Sequence, residues 1–115
     1  AVLDAVQLVL YQAGQFGEIK LTAAHGILEQ EEQQIEVWGD VKVVTARGDR
    51  LYTERLHYDG RQRRLKNTVE VRLLNSQMEL TGSVLDVDLD RGLLRLKKNI
   101  WMLLLPQEGN NPSAE

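Results

Sequence analysis

The sequence predicts an all-β fold in which repeated antiparallel strands roll up around one aliphatic face. Apolar and polar residues alternate over several segments, as half-buried strands require. The central segment Leu51-Tyr52-Thr53-Glu54-Arg55-Leu56-His57-Tyr58-Asp59 places apolar or small residues at 51, 53, 56 and 58. A flat strand keeps one face by steps of two, so the step from Thr53 to Leu56 calls for one extra residue, a β-bulge. The same spacing recurs at Leu21, Ala23, Gly26 and Leu28, and at Leu80, Gly82, Leu85 and Val87. Leu21 to Leu51 is 30 positions and Leu51 to Leu80 is 29. The chain therefore reads as a repeat of bulged strand, polar turn and return strand. Such strands close into a sandwich or a curved, half-open roll, and recurrent bulges supply the curvature.

The elements follow in order. Ala1 to Gln12 is nearly continuous apolar sequence and β-prone. As a strand it sets Val2, Val6, Leu8 and Leu10 on one face, and Leu3, Ala5, Val9 and Tyr11 on the other. Ala13-Gly14-Gln15-Phe16-Gly17 is a turn with two glycines able to take positive φ. Glu18 to Leu28 is the first bulged strand, and the acidic and amide run Glu29 to Gln34 reads as a solvated turn. Ile35 to Val43 alternates, with Gly39 on the inward face, where a missing side chain marks a bend or a close approach. Arg47-Gly48-Asp49 is the next turn. This tripeptide can serve adhesion, but it falls where a hairpin needs glycine.

The second bulged strand ends at Asp59-Gly60, a hairpin signal. Arg61, Arg63 and Arg64 at its tip read as a solvated loop or as a contact for anionic groups. Leu65 to Leu73 returns with Val69, Val71 and Leu73 inward. Met78 to Leu89 is the third bulged strand, and its Asp86, Asp88 and Asp90 have calcium-loop spacing. The sixth and twelfth positions of such a loop would be Arg91 and Lys97, so the match fails. In Leu93 to Leu105, Leu94, Leu96, Ile100, Met102 and Leu104 share one face. Trp101, Leu103 and Leu105 make the other face apolar too, and Pro106 stops the strand.

The 115 residues form one domain over 1–106, followed by a polar, disordered tail over 107–115. A 43% hydrophobic share with 27% charge marks a globular chain. Net charge −3 without a basic face argues against nucleic acid as partner. With no cysteine there are no disulfides or thiolate metal sites. No signal peptide or membrane-spanning run is present, and the lack of an initiator methionine predicts a mature or trimmed chain. His25 and His57 occupy equivalent bulge regions, but two histidines without a third ligand make no metal site. Serines outside any nucleophile motif and the lack of a phosphate-binding loop leave no catalytic residues and no cofactor to assign. Both terminal strands are apolar on both faces, which suits edges that pair with another chain. A gaping aliphatic interior suits alkyl chains.

Three segments carry a family resemblance: Val37-Trp38-Gly39-Asp40-Val41-Lys42-Val43, Leu51-Tyr52-Thr53-Glu54-Arg55-Leu56-His57-Tyr58-Asp59 and Met78-Glu79-Leu80-Thr81-Gly82. Their order and spacing over residues 18 to 105 resemble the periplasmic domain of the LptC family of lipopolysaccharide export proteins. The related LptA shares the repeat and is the nearest alternative, with a ligand-free structural module the other. The resemblance implies a twisted, open β-jellyroll that serves as one segment of a periplasmic bridge. Lipopolysaccharide acyl chains would lie along Leu21, Val37, Val41, Val43, Leu51, Leu56, Tyr58, Val69, Val71, Leu80, Leu85, Val87 and Ile100. The LptA junction would use Gly82, Leu96, Ile100, Trp101, Met102, Leu103 and Leu104. The opposite end would face the inner-membrane transporter LptFG, and a homodimer is a further expectation. An N-terminal helix absent from this chain would anchor it to the inner membrane.

Overall fold

A computed structural model describes residues 1–11 and 16–106. The described residues form eight strands and no α-helix: β1 (Val2–Leu10), β2 (Ile19–Glu29), β3 (Gln34–Thr45), β4 (Arg50–Asp59), β5 (Arg64–Asn67), β6 (Val71–Leu74), β7 (Met78–Asp88) and β8 (Leu93–Leu104). All pairings are antiparallel. Each long strand pairs with the next, and β5 and β6 together make one interrupted strand between β4 and β7. The expected hairpins are therefore β2/β3, β4/β5–β6 and β7/β8, joined in one sheet with β1 and β8 at its edges. Of the predicted 13–17 turn, residues 13–15 lie outside the described residues, as does the 107–115 tail.

A line of backbone irregularities crosses this sheet. Ala5 (φ 51°), Gly39 (86°), Asp40 (47°), Val84 (62°) and Asn99 (54°) all adopt left-handed conformations. Such values are unfavourable for residues with a Cβ, most of all for β-branched valine. Burial steps over three residues on β2, from Ala23 to Gly26, and on β4, from Thr53 to Leu56, as the sequence predicts. The extra residue, however, lies in the partner strands. Trp38 faces Arg55 and Val41 faces Thr53, so Gly39 and Asp40 stand opposite Glu54 alone. Likewise Asn99 and Ile100 stand opposite Gly82 alone. Register, not the facing pattern of a single strand, decides which strand bulges.

The same line corrects the facing of β1. Its pairing with β2 stays in register, but the faces switch at Ala5. Leu3 therefore packs against the core with Val6 and Leu10, whereas Val2 is 79% exposed. The return strand is corrected as well. It breaks at 68–70, leaving Val69 38% exposed rather than inward. Side chains replace the ladder at the break. Asn67 Nδ2 donates to the Arg55 carbonyl at 3.0 Å and to Thr53 Oγ1 at 3.1 Å, and Thr53 Oγ1 donates to the Glu70 carbonyl at 2.8 Å. Among the described residues Thr53 and Asn67 are the buried polar ones; these bonds satisfy Thr53 Oγ1 and Asn67 Nδ2, while Asn67 Oδ1 is buried without a hydrogen-bond partner.

The sheet bends along this line as a book bends at its spine. One page contains Val6–Leu10, Ile19–Ala23, Val41–Thr45, Arg50–Thr53, β6 and the first half of β7. The other contains the opposite ends of the same strands. A single cluster of buried hydrophobic residues, aliphatic but for Phe16 and running from Val6 to Leu89, fills the angle between them. At the spine Leu21, Val37, Val41, Leu56, Val71 and Leu85 are at most 2% exposed. Each such burial contributes about 1.5–3 kcal/mol.

Turn chemistry fits the sequence with one change. Gly60 follows Asp59 as expected, but its φ is not positive; Arg63 (54°) takes the left-handed position instead. Gly60 is small because a Cβ there would lie 2.8 Å from the Gln33 carbonyl, which its N–H contacts at 2.7 Å.

Gly39→Ala tests the spine. The new Cβ would lie 2.9 Å from Ala24 Cβ, at a backbone angle that alanine avoids. Urea unfolding of this variant should show a loss of about 1–3 kcal/mol; an unchanged midpoint would mean that the bulge is not a constraint.

Candidate functional site

The two pages part toward the rim and enclose a cavity of about 270 Å³. Phe16, Ile19, Val43, Leu51, Leu73, Met78 and Leu80 line it from one page, and Leu65, Val87 and Leu94 from the other. Residues from both halves of the same strands meet there only because the sheet is folded at the spine. The lining is predominantly aliphatic. Its polar members, Thr45, Arg47, Asp49, Arg50 and Asn75, belong to the β3–β4 turn region and the β6–β7 turn.

The thirteen residues expected along a lipid path separate into groups. Val43, Leu51, Leu80 and Val87 line the cavity. Leu21, Val37, Val41, Leu56, Val71 and Leu85 are sealed at the spine. Tyr58 packs half-buried against the core, and Val69 and Ile100 are 38% and 49% exposed. Phe16, Ile19, Leu65, Leu73, Met78 and Leu94 line the cavity without having been assigned to it. Leu65 and Leu73 share the parity of Val71, so alternation could have found them. Phe16 stands outside any strand, and no periodic signal marks it.

The β8 edge is the second feature. Ile100, Trp101, Met102, Leu103 and Leu104 are all 44–72% exposed. Met102 lies opposite Leu80 and Leu104 opposite Met78, so they extend the inner apolar face past its cover. Trp101 and Leu103 lie opposite Thr81 and Glu79 on the outer face. The Leu105 N–H donates to the Gln77 carbonyl at 2.8 Å. Antiparallel alternation then turns Leu103 and Trp101 toward β7, and directs the backbone groups of Met102 and Leu104 outward at the free edge. Gly82 lies one strand in from that edge. A Cβ on it would meet Leu96 at 2.7 Å and Ile100 at 2.8 Å, so its bareness lets both side chains settle over β7.

The remaining polar candidates have structural partners. His25 Nδ1 lies 3.2 Å from Asp4, and its ring is tilted 5.9 Å from that of Trp38. His57 lies between Glu36 and Gln34, so the two histidines join different clusters. At the tip Arg61 contacts Glu32, Arg63 pairs with Asp90, and Arg64 pairs with Asp86 and Asp88. These pairs answer both the anion reading of the arginines and the cation reading of the aspartates. Arg47 and Asp49 bond to each other, and Asp49 is 15% exposed, an arrangement unlike a splayed adhesion tripeptide. At the β4–β5 turn the Gln34 amide, with the Gln62 and Arg61 N–H groups, holds the Asp59 carboxyl below its ordinary pKa.

No helix among the described residues is long and apolar enough to cross a membrane. A family model described as LptC, lipopolysaccharide-assembly, LptC-related, matches residues 1–102. No curated protein matches the chain.

Proposed function

This chain belongs to the LptC family, whose part in the cell is lipopolysaccharide transport at the periplasmic side of the export system, and from that premise we propose that its trough receives acyl chains and passes them on across the β8 edge. The observation that carries this reading is the continuity of one apolar face. It runs from the cavity between the pages, through Leu80 and Met78, to the uncovered Met102 and Leu104 beside them. A neighbour's strand added to β8 would extend both the sheet and the trough, so that a chain leaving this module stays out of water. LptA is the proposed occupant of that edge, and LptFG the proposed neighbour at the β1 end. The role is non-enzymatic: the site holds and hands over, and ATP hydrolysis elsewhere drives the flow.

The cavity as it stands is smaller than the roughly 300–1,000 Å³ of small-molecule sites. The site therefore accepts part of one chain when closed, and the pages open at the rim to take more. The sealed spine residues act as the hinge of this opening rather than as lipid contacts. An LptA-like soluble bridge, or a module that polymerises through its edges without ligand, would also use the β8 edge. The lined cavity favours the lipid reading over the ligand-free one.

Photo-crosslinkers at Leu51, Val87 and Leu94 should capture lipopolysaccharide, while one at Val69 should not. Equal capture at all four positions, or at none, would reject the conduit.

The edge is tested separately by Met102→Pro, which removes an outward N–H and leaves the β7 ladder intact. Pull-down of LptA should be lost while capture at Leu94 persists; undiminished LptA binding would place the junction elsewhere.

A further inference from the structure

We propose that the β8 edge selects its neighbour by charge: Arg95, Lys97 and Lys98 take a strand of a different chain whose acidic half lies beside them while its apolar half lies beside 100–104. This rests on the reading of β8 as a junction and adds to it the chemistry of the partner strand. β8 has two unlike halves, and the left-handed Asn99 divides them. The second half, 100–104, is exposed and carries no charge. The first half holds Arg95, Lys97 and Lys98 and no carboxylate. All three cations are exposed, and among the described residues none of their side chains has an ion pair or a hydrogen bond.

Strand alternation places two of them. Leu94 and Leu96 pack against the core, so Arg95 and Lys97 project from the outer face. Arg95 lies opposite Asp86, but Arg64 already holds that carboxylate at 2.9 Å and Asp88 at 3.4 Å, and Arg91 approaches Asp88 at 3.7 Å. Lys97 borders an outer depression with Lys66, Arg55 and His57. The two carboxylates there are taken as well, Glu36 by Arg55 and His57 and Asp86 by Arg64. Lys98 lies opposite Ser83, beside the bulge. β7 thus leaves the three cations unanswered on one side, and the other side of β8 is the free edge.

A strand added at that edge brings its side chains directly opposite those of β8, with Cβ atoms about 4.5–5.5 Å apart, where opposite charges attract and like charges repel. Edge lysines protect a sheet against indiscriminate pairing. Here the protection stops at Asn99, whereas a purely defensive edge would carry charge through 100–104 as well. The edge is therefore open to a strand that supplies carboxylates and unfavourable to one that does not, which is how specificity combines attraction with exclusion. A second copy of this chain does not supply them. Its β8 repeats the same cations, and its β1 holds one carboxylate, Asp4, which already lies 3.2 Å from His25 Nδ1. Edge-to-edge growth from copies of this chain alone is disfavoured relative to joining a different chain.

The test uses the whole chain and synthetic strands that share one apolar half and carry glutamate, glutamine or lysine at alternate positions of the other half. A further strand has the sequence of residues 1–11. Binding is read by fluorescence anisotropy. The glutamate strand should bind about tenfold tighter than the glutamine strand, and the lysine strand most weakly. Added salt should narrow these differences. Arg95→Glu/Lys97→Glu/Lys98→Glu should invert the order, whereas Arg95→Lys/Lys97→Arg/Lys98→Arg should keep it. The strand of residues 1–11 should bind no tighter than the glutamine strand. Met102→Pro should weaken every strand, because all of them use the same edge backbone. Equal affinities for the glutamate and glutamine strands, an order that survives charge reversal, or a 1–11 strand as tight as the glutamate strand would overturn charge selection while leaving the edge as the junction. Binding that ignores Met102→Pro, or no binding of any strand, would overturn the junction and charge selection together.

Discussion

Everything in this fold depends on the line of left-handed backbone positions that crosses the sheet from Ala5 through Gly39 and Asp40 to Val84 and Asn99. An eight-stranded antiparallel meander with one apolar face would otherwise expose that face to water. Bending every strand at the same level turns one half of the face onto the other. The driving force is burial of aliphatic area, and the opposing cost is backbone strain at a handful of residues. Six spine side chains at 2% exposure or less outweigh that strain, because each contributes about as much as one strained residue costs or more.

The bend also explains why the molecule has a site at all. A flat sheet has no inside, and a closed barrel of this size would fill its inside with side chains. A folded page is tight at the spine and slack at the rim, so packing density changes along each strand. Leu56 and Leu51 belong to the same strand and face the same interior; one is sealed and the other borders open space. The two edges remain unclosed for the same reason. At β8 the apolar face simply runs out from under its cover, and the trough and the edge become one continuous surface. Arg47, stacked on the Phe16 ring, stands at the rim, where the slack end of the trough meets water.

Much of this was legible in the sequence. Alternation gave the strands and their order, and the thirty-residue repeat gave the hairpins. The apolar double face of residues 100–104 marked the β8 edge, and the spacing 51, 53, 56, 58 announced the bend. What could not be read was relational. A three-residue step says that a strand changes face, but only the pairing of Trp38 with Arg55 and of Val41 with Thr53 shows that β3 holds the surplus residue. The break at 68–70 was hidden because Val69 continues the apolar alternation, while Asn67 and Thr53 satisfy the broken ladder from a distance in sequence. The division of the inward face into sealed and cavity-lining residues was likewise invisible, since both kinds are leucine and valine on the same parity. Phe16 and Arg47 reach the cavity from turns, where periodicity has nothing to say.

The central claim is that facing methyl groups on the two pages, and not the outer face or the bare edge, are where acyl chains lie. Intermolecular nuclear Overhauser effects between the acyl protons of bound lipid A and the labelled methyls of the protein measure this directly. The account predicts effects to Val43, Leu51 and Leu80 on one page together with Leu65, Val87 and Leu94 on the other. Effects confined to Met102 and Leu104, or spread to the outward Val69, would contradict it.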